Sequence, residues 1–205
     1  MRSEKELLEE MIMVIRDYGL ENKKVFDAMR KIPRHWFIDS RVALDEAYGD
    51  YPVLIGGGQT ISQPFTVAFM LDLLELKEGL NVLEIGTGSG WNAALIEKMG
   101  CKVTTIEYDP KLAEKARENL KKVNSRAEVI AGDGGRGYKP NSPYDRIIVT
   151  CAAPKILEPW KEQLTEDGII VLPEGGDFQK MVKARKSDNF EEENHGYFRF
   201  VPLRD

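Results

Sequence analysis

The feature that most constrains the fold is an alternation of short apolar segments and helical segments that begins near residue 80. Five segments have the composition of buried strands: NVLEI, KVTTIE, AEVIA, YDRIIVT and GIIVLP. Helix-forming segments such as WNAALIEKM and DPKLAEKARENLKKV lie between them. Strands separated by helices of this length require right-handed crossovers, so the pattern predicts a mostly parallel sheet. Two later runs, KMVKARKS and GYFRFVPL, are joined by the polar DNFEEEN and predict an antiparallel pair at one sheet edge.

The first 78 residues have a different pattern. Ser3 and Glu6 match a capping box, and an apolar helical stripe follows as far as Gly19. A second short helix fits residues 22–32, and Pro64 is well placed to open a third. RHWFID and EAYGDYPVLI read as irregular. We therefore expect one α/β domain over 1–205: a helical extension with a loop at 1–78, and a Rossmann-like, doubly wound, seven-stranded sheet at 79–205.

Composition limits the classes of function. The 205 residues are 42% hydrophobic and 31% charged, as in ordinary globular proteins, and the net charge of -5 does not favour nucleic acid or anionic membranes as partners. Apolar runs are far shorter than the roughly 20 residues that cross a bilayer, and the N-terminus MRSEKELLEE lacks a signal-peptide core, which predicts a cytoplasmic protein. Cys101 and Cys151 are far apart and predict buried thiols, with no disulfide framework and no metal site.

A glycine-rich turn follows the first strand directly. Gly86, Gly88 and Gly90, interleaved with Thr87 and Ser89, lie between NVLEI and a helix, where glycines let backbone approach a ligand and the helix N-terminus supplies free N–H groups. Because Trp91 follows, the spacing is G-x-G-x-G and lacks the third glycine position of the dinucleotide fingerprint. A hydride-transfer enzyme is therefore disfavoured.

Two acidic residues end the next two strands. Glu107 closes KVTTIE about 20 residues after the glycine turn, which suits a carboxylate that accepts both hydroxyls of a ribose. Asp133, between Gly132 and Gly134, closes AEVIA and suits a contact to an adenine amino group. The alternatives are a surface charge for Glu107, a turn cap for Asp133, and packing for Trp91 and Tyr108. Three such sites on successive strands favour nucleotide binding.

This arrangement resembles the class I S-adenosylmethionine-dependent methyltransferases. In that family the strand-1 motif, the acidic residue after strand 2 and the acidic residue after strand 3 hold the methionine part, the ribose and the adenine. The resemblance implies S-adenosylmethionine as cofactor, S-adenosylhomocysteine as product, and cofactor contacts from the motif that includes Glu84, a residue that is often structural. The resemblance also implies, from their positions, that the following residues bind the cofactor: Thr60, Gly86, Thr87, Gly88, Ser89, Gly90, Glu107, Tyr108, Gly132, Asp133 and Gly134.

A second motif narrows the resemblance. LIGGGQTISQPFTVAFM, supported by IPRHWFI, GDGGRGY, SPYDRIIVTCAAP, LTEDGIIVLPEGG and FVPL in the same order, is similar to the protein-L-isoaspartate O-methyltransferases. That likeness implies repair of damaged protein: a methyl group passes from S-adenosylmethionine to the α-carboxylate of an L-isoaspartyl residue. It also implies that Ser62 is the catalytic residue. The alternative for Ser62 is a cap on the helix at Pro64.

The motif GGGQTISQP contains no proton-transfer group, and the implied chemistry needs none. An α-carboxylate is ionised at pH 7 because its pKa is about 3.5. Hydroxyls such as those of Thr60 and Ser62 are suited to hold that carboxylate. We expect damaged proteins and peptides as partners, a monomer, and no role for nucleic acid; the alternatives are another class I methyltransferase that acts on a small molecule or RNA, and a catalytically silent binding module.

Overall fold

The main sheet has seven strands, and it confirms the expected fold class. The computed structural model describes residues 2–187 and 190–204. The strands are β3 (Asn81–Ile85), β4 (Lys102–Glu107), β5 (Glu128–Ala131), β6 (Tyr144–Val149), β7 (Leu164–Gly175), β8 (Gln179–Arg185) and β9 (Glu191–Phe198). Strand order in the sheet is β5-β4-β3-β6-β7-β8-β9, parallel from β5 to β7 and antiparallel from β7 to β9.

Helices cover both faces of this sheet and form the N-terminal part. They are α1 (Glu4–Asp17), α2 (Lys23–Lys31), α3 (Leu44–Ala47), α4 (Pro64–Leu73), α5 (Trp91–Lys98), α6 (Pro110–Lys122) and α7 (Glu158–Gln163), with 3₁₀ turns at Arg34–Phe37, Gly134–Arg136 and Lys139–Asn141. The capping box that the sequence predicts at Ser3 is present, and Asn22 caps α2. Within the described residues, no helix combines the length and the apolar character that a membrane span needs.

Strand β3 shows how the sheet separates two cores. Its side chains alternate, so that Val82 packs into the core with the N-terminal helices while Leu83 and Ile85 pack into the core on the other face. The first core joins α1, α2 and α4 to α5 and α6, and the second contains Trp160 of α7. The N-terminal helices therefore share a continuous core with the sheet.

The last strand lies earlier in the chain than the sequence pattern predicts. The pattern predicts strand structure in residues 196–203 and a linker at 188–194. The structure has β9 at Glu191–Phe198, and residues 188–189 lie outside its described part. In the sheet, Glu191 lies opposite Arg185 and Glu193 opposite Lys183. Opposite charges in cross-strand positions stabilise a pair, and an edge strand tolerates charged residues because one side is open to water. The acidic run is therefore compatible with a strand.

A small hairpin replaces the irregular loop that the sequence suggested before Pro64. Strand β1 (Val53–Gly56) pairs antiparallel with β2 (Gln59–Ile61). The two residues of its turn, Gly57 and Gly58, have φ of 59° and 71°. Two-residue hairpin turns with positive φ at both positions are of type I′, which glycine adopts without steric cost. The motif GGGQTISQP is thus half hairpin and half helix start.

Candidate active site

One cavity lies at the carboxyl end of β3. In the sheet, β3 has β4 on one side and β6 on the other, so the strand order reverses direction at this point. Such a topological switch point is where open α/β sheets bind ligands. The cavity walls come from the hairpin, the glycine turn, the ends of β4 and β6, and the C-terminal segment. Ten residues predicted from sequence line it: Thr60, Ser62, Glu84, Gly86, Thr87, Gly88, Ser89, Glu107, Tyr108 and Gly134.

The glycine turn is closely packed against the end of β6. Gly86 has a φ of 95°, and a Cβ atom built there would lie 2.5 Å from Thr150 Oγ1. The Thr150 hydroxyl donates to the Gly86 carbonyl oxygen at 2.6 Å. A side chain at position 86 would therefore be excluded both by backbone conformation and by space, which fixes the turn tightly between two strands.

Buried polar side chains support the turn from beneath. The Glu84 carboxylate accepts from Asn92 Nδ2 at 2.7 Å and from the Thr105 hydroxyl at 2.6 Å, and the Thr87 hydroxyl contacts Thr105 Oγ1 at 2.7 Å. Since Thr105 donates to Glu84, Thr87 is the donor to Thr105. Burial raises the pKa of Glu84 to about 7, against the lowering effect of these two hydrogen bonds. The chain Thr87, Thr105, Glu84, Asn92 ties the turn to β4 and α5.

Asn92 also presents a polar atom that no described residue satisfies. Its Oδ1 is buried without a hydrogen-bond partner among the described groups, and the residue lines the cavity beside Glu84. A buried acceptor left unpaired is costly, which favours a ligand donor at this place. The pair of Glu84 and Asn92 suits a positively charged amine.

Glu107 lies where the sequence predicts, as the last residue of β4. Its carboxylate accepts from the Gly88 backbone N–H at 2.8 Å and from the Asp109 backbone N–H at 3.1 Å. The side chain is buried and lines the cavity. Because a carboxylate has about four acceptor positions, these two bonds orient Glu107 and leave acceptor capacity for a ligand.

Three residues of the predicted set lie outside the cavity lining. Gly90 is the N-cap of α5 and faces Leu120. Gly132 and Asp133 lie at the margin, where Asp133 accepts from the Gly135 N–H at 2.8 Å and contacts Arg136 Nε at 3.0 Å. The turn-capping alternative for Asp133 is therefore present in the structure, and Gly134 is the member of that motif that reaches the cavity.

The two aromatic residues beside the site differ in exposure. Trp91 is buried, donates from its indole nitrogen to the Ile32 carbonyl at 3.1 Å and forms part of the cavity wall. Tyr108 lines the cavity with 47% of its surface exposed. Trp91 thus connects the glycine turn to the N-terminal helices, as packing predicts, while Tyr108 is partly exposed in the cavity wall.

Ser62 is not the cap of α4. The N-cap position is Gln63, which makes no capping bond with its own side chain. Asp50 instead accepts from the Phe65 N–H at 2.8 Å and from Gln63 Nε2 at 2.7 Å. The helix start is therefore held by Asp50, and Ser62 lies between β2 and α4 in the cavity wall.

The C-terminal segment contributes a cavity wall that the sequence analysis does not predict. Residues 201–204 line the cavity, and the Ala152 backbone bonds both Val201 and Leu203 at 2.8 Å. Arg204 Nη2 donates to the Gly57 carbonyl oxygen at 3.4 Å and so bridges this segment to the hairpin. The motif FVPL was the available signal, but its position beside the site depends on the fold.

The two histidines contact neighbouring polar side chains, and the two cysteines are buried as the sequence predicts. His35 contacts the Tyr48 hydroxyl at 3.0 Å, and burial lowers its pKa. His195 lies on the edge strand β9 beside Glu193. Both cysteines are buried and free, as expected, and burial raises the pKa of Cys151, a cavity residue, to about 12. Neither histidine lines the cavity.

Comparison with known proteins places this geometry in a family. A protein-L-isoaspartate O-methyltransferase from Archaeoglobus fulgidus is 48% identical over 190 residues, which are 89% of this chain and 86% of that protein. One from Cytophaga hutchinsonii is 43% identical over 202 residues, 97% of this chain and 91% of that protein.

Solved structures agree on the fold. A protein-L-isoaspartate O-methyltransferase structure superposes with a TM-score of 0.89 at 28% identity, over 97% of this chain and 66% of that chain. A putative one from Plasmodium falciparum, in complex with S-adenosyl-L-homocysteine, has a TM-score of 0.84 at 23% identity, over 100% and 99%. The profile of the protein-L-isoaspartate(D-aspartate) O-methyltransferase family matches residues 5–205. The chain belongs to the protein-L-isoaspartate(D-aspartate) O-methyltransferase family.

Proposed function

We propose that the cavity binds S-adenosylmethionine and that its methyl group is transferred to the α-carboxylate of L-isoaspartyl residues in damaged proteins and peptides. Family membership over residues 5–205 supports the activity. The observation that carries the assignment of the site is the meeting of the glycine turn and the hydroxyl-bearing hairpin in one cavity. One motif binds the cofactor in this proposal, and the other places the acceptor.

The residues present fit the cofactor. Its α-ammonium has acceptors in Glu84 and in the unpaired Asn92 Oδ1, its ribose has one in the buried Glu107 carboxylate, and Gly86 and Gly88 keep the turn free of side chains. The lining is otherwise mostly apolar, with Ile85, Ile106, Ile148 and Met70 among its residues, as nucleotide pockets commonly are. The assigned contacts are Thr60, Glu84, Gly86, Thr87, Gly88, Ser89, Glu107, Tyr108 and Gly134, all of which line the cavity, and Gly90, Gly132 and Asp133 support them.

Gly90, Gly132 and Asp133 act indirectly in this scheme. Gly90 shapes the start of α5, and Asp133 orders the turn that carries Gly134 into the cavity. Reorientation of the Asp133 carboxylate away from the exposed Arg136 is needed for any direct contact to an adenine amino group.

Ser62 is the proposed catalytic residue, with a positioning task. When bound, S-adenosylmethionine supplies a methyl group that its positive sulfonium already activates. The acceptor carboxylate is ionised at neutral pH, because its pKa of about 3.5 lies well below 7. The Ser62 hydroxyl, assisted by that of Thr60, holds one carboxylate oxygen and leaves the other free to react. Alignment of this kind accounts for several kcal/mol of a barrier without any general base.

Paired peptides test the proposal directly. The protein is incubated with radiolabelled S-adenosylmethionine and peptides that differ only in Asp or isoAsp at one position. We expect label in a base-labile ester on the isoAsp peptide alone. Equal labelling of both peptides, or labelling of neither while small-molecule or RNA acceptors are labelled, would contradict it. A D-aspartyl peptide in the same series determines whether that second substrate is accepted.

We also propose one domain over 1–205, a monomer, and a cytoplasmic location. A core shared by the N-terminal helices and the sheet supports the single domain, and two buried free thiols are typical of a reducing compartment. Light scattering of the purified protein measures the mass of the particle. A mass twice that of the 23.2 kDa chain would overturn the monomer.

A further inference from the structure

Arg34 is a fully buried cation in the 3₁₀ turn Arg34–Phe37, with 0% of its surface exposed. Its guanidinium donates to three backbone carbonyl oxygens: from Nε to Ala47 at 2.8 Å, from Nη1 to Ser62 at 2.9 Å, and from Nη2 to Tyr51 at 3.3 Å. One side chain thereby connects three segments, and one of its bonds reaches the backbone of the proposed catalytic residue.

Burial of a charge in this way lowers the stability of the folded protein. Burial lowers the pKa of Arg34 to about 9, while the charge of Asp50 opposes that change. The Asp50 carboxylate is nevertheless bound to Gln63 and Phe65, and Arg34 forms no ion pair within the described part of the chain. Apolar residues of similar volume often stabilise a protein core at least as well as buried charges do. The position therefore favours a task other than packing.

The guanidinium also contacts Trp91, a residue on the cofactor side of the cavity. Its central carbon lies 4.8 Å from the centre of the Trp91 ring, within cation–π distance. Trp91 directly follows Gly90, begins α5 and lines the cavity, and its indole nitrogen is held by the Ile32 carbonyl oxygen. Arg34 thus contacts the residue after the glycine turn on one side and the Ser62 carbonyl on the other.

We infer that Arg34 is a positioning residue for methyl transfer, which fixes the Ser62 backbone relative to Trp91 and so the acceptor carboxylate relative to the cofactor. The inference rests on the proposed function of the cavity and on the place of the Ser62 backbone in its wall. Arg34 does not line the cavity and acts through these neighbours.

The chemistry of the side chain explains why arginine is required. A planar guanidinium presents five donors in a rigid fork, which can bond three carbonyls in different directions at once, whereas an ammonium is a compact charge on a flexible stem. A lysine keeps the charge but loses the fixed geometry. Displacement of reacting groups by about 1 Å can cost about 100-fold in rate, so small shifts of Ser62 are sufficient to be measured.

The test compares Arg34→Lys and Arg34→Met with Arg146→Met. Arg146 is a matched control, because it is also buried and also donates to backbone carbonyls, those of Leu74 and Asp145. It lies near the amino end of β6, away from the carboxyl edge that forms the cavity. Each variant is measured for melting temperature, S-adenosylhomocysteine affinity, and kcat and KM with an isoaspartyl peptide, well below its melting temperature.

We expect Arg34→Lys to fold and to lose at least about tenfold in kcat, equal to about 1.4 kcal/mol, while its affinity for S-adenosylhomocysteine stays within about threefold. Arg34→Met loses more kcat than Arg34→Lys. Arg146→Met has a lower melting temperature than the wild type but an unchanged kcat. Retention of kcat in Arg34→Lys despite a lowered melting temperature, or an equal fall in cofactor affinity and kcat, would overturn the inference.

A parallel Ser62→Ala variant separates this inference from the proposed role of the hydroxyl. Arg34 bonds the Ser62 carbonyl and not its side chain. Full turnover in Ser62→Ala together with loss in Arg34→Lys would refute the hydroxyl role and leave the positioning role in place. Failure of the wild-type protein to methylate isoaspartyl peptide would instead refute the proposed function.

Discussion

Two glycine-rich segments line the same cavity, and they are held in different ways. The glycine turn at 86–90 follows a buried strand and is fixed by short bonds to side chains at the ends of neighbouring strands. The Thr150 hydroxyl donates to the Gly86 carbonyl oxygen, and the Glu107 carboxylate accepts from the Gly88 N–H. The hairpin turn at Gly57–Gly58 belongs to an isolated two-stranded sheet. Its carbonyls and those nearby are held by the ends of long basic side chains: Arg34 at Ser62, Lys115 at Ile55 and Arg204 at Gly57.

The difference corresponds to two tasks. A cofactor is the same molecule in every turnover, so a site built from buried strand ends and short hydrogen bonds suits it. A damaged polypeptide varies in sequence. The hairpin tip is held by the partly exposed Lys115 and the exposed Arg204, so it can adjust to different chains while the buried Arg34 fixes Ser62. We therefore expect changes on the sheet side to affect stability and cofactor binding, and changes on the hairpin side to affect turnover and peptide binding.

The largest expected effect is on the pH dependence of stability, through Glu84. Burial raises its pKa from 4.5 to about 7. Between pH 4.5 and 7, the folded protein therefore keeps the Glu84 carboxyl protonated, whereas the unfolded chain has lost this proton. The stability that this proton provides is present below pH 4.5 and is lost as pH rises through about 7. Glu84→Gln resembles the protonated form, so its stability relative to wild type should rise over this range by on the order of 3 kcal/mol.

Denaturant unfolding of both proteins at several pH values measures this difference. Glu162→Gln, at an exposed position on α7, is the control and should show no such trend. A constant difference between wild type and Glu84→Gln from pH 4.5 to 7.5 would show that the carboxyl is not perturbed in the folded state.

Glu107→Ala should have the next largest effect, which is a loss of cofactor affinity. The change removes the carboxylate that is proposed to bind the ribose and that also holds the Gly88 and Asp109 N–H groups. Hydrogen bonds to charged groups contribute about 2 kcal/mol, which predicts about a 30-fold higher Kd for S-adenosylhomocysteine by calorimetry. At saturating cofactor we expect kcat to change much less. A large fall in kcat with unchanged Kd would place Glu107 on the acceptor side.

Ser62→Ala tests the hairpin side. Loss of the hydroxyl should lower kcat by about tenfold, since one hydrogen bond to the reacting carboxylate contributes about 1 to 1.5 kcal/mol. Cofactor affinity should remain that of the wild type. Ser142→Ala, which removes a hydroxyl bonded to the Lys139 carbonyl far from the cavity, should leave both unchanged. Equal losses of cofactor affinity in Ser62→Ala and Glu107→Ala would end the distinction between the two sides.

The smallest effect is expected from Gly58→Ala. Its φ of 71° is unfavourable for alanine, while the space around its Cβ is open, so the cost is the conformational strain of about 1 kcal/mol. Gly79→Ala is matched, because Gly79 has a φ of 87°, open space and a place outside the cavity. Both should lose similar unfolding free energy, and Gly58→Ala alone should also raise KM for isoaspartyl peptide. Identical kinetics in the two variants would show that the hairpin turn does not touch the substrate.

Much of the cofactor side was predictable from sequence because its signals are local. A strand of NVLEI, a glycine turn and a helix start are contiguous in the chain, and Glu107 is the last residue of the next strand. The rule that parallel strands end at one edge then brings these residues together. Asp133 shows the limit of this reasoning, since the adjacent Arg136 and the Gly135 N–H draw its carboxylate aside.

The hairpin side was less predictable because its contacts join distant segments. The glycine pair within VLIGGGQTI is typical of a two-residue hairpin turn, but the flanking runs of four and three residues are too short to be identified as strands from sequence. The sequence pattern places the last strand too late for a related reason. Its glutamates favour a linker when read from sequence alone, but they fit a strand because Arg185 and Lys183 lie opposite them.

The sequence by itself determined the alternation of strands and helices, the glycine turn, the acidic strand ends and the hydroxyl motif, because each depends on neighbouring residues. Only the tertiary structure decided that Arg34 binds the Ser62 carbonyl 28 positions away, that Asp50 rather than Ser62 supports the start of α4, and that residues 201–204 close the cavity. Carbonyl groups occur at every residue and carry no sequence signal. Which of them a buried cation binds is therefore settled by packing alone.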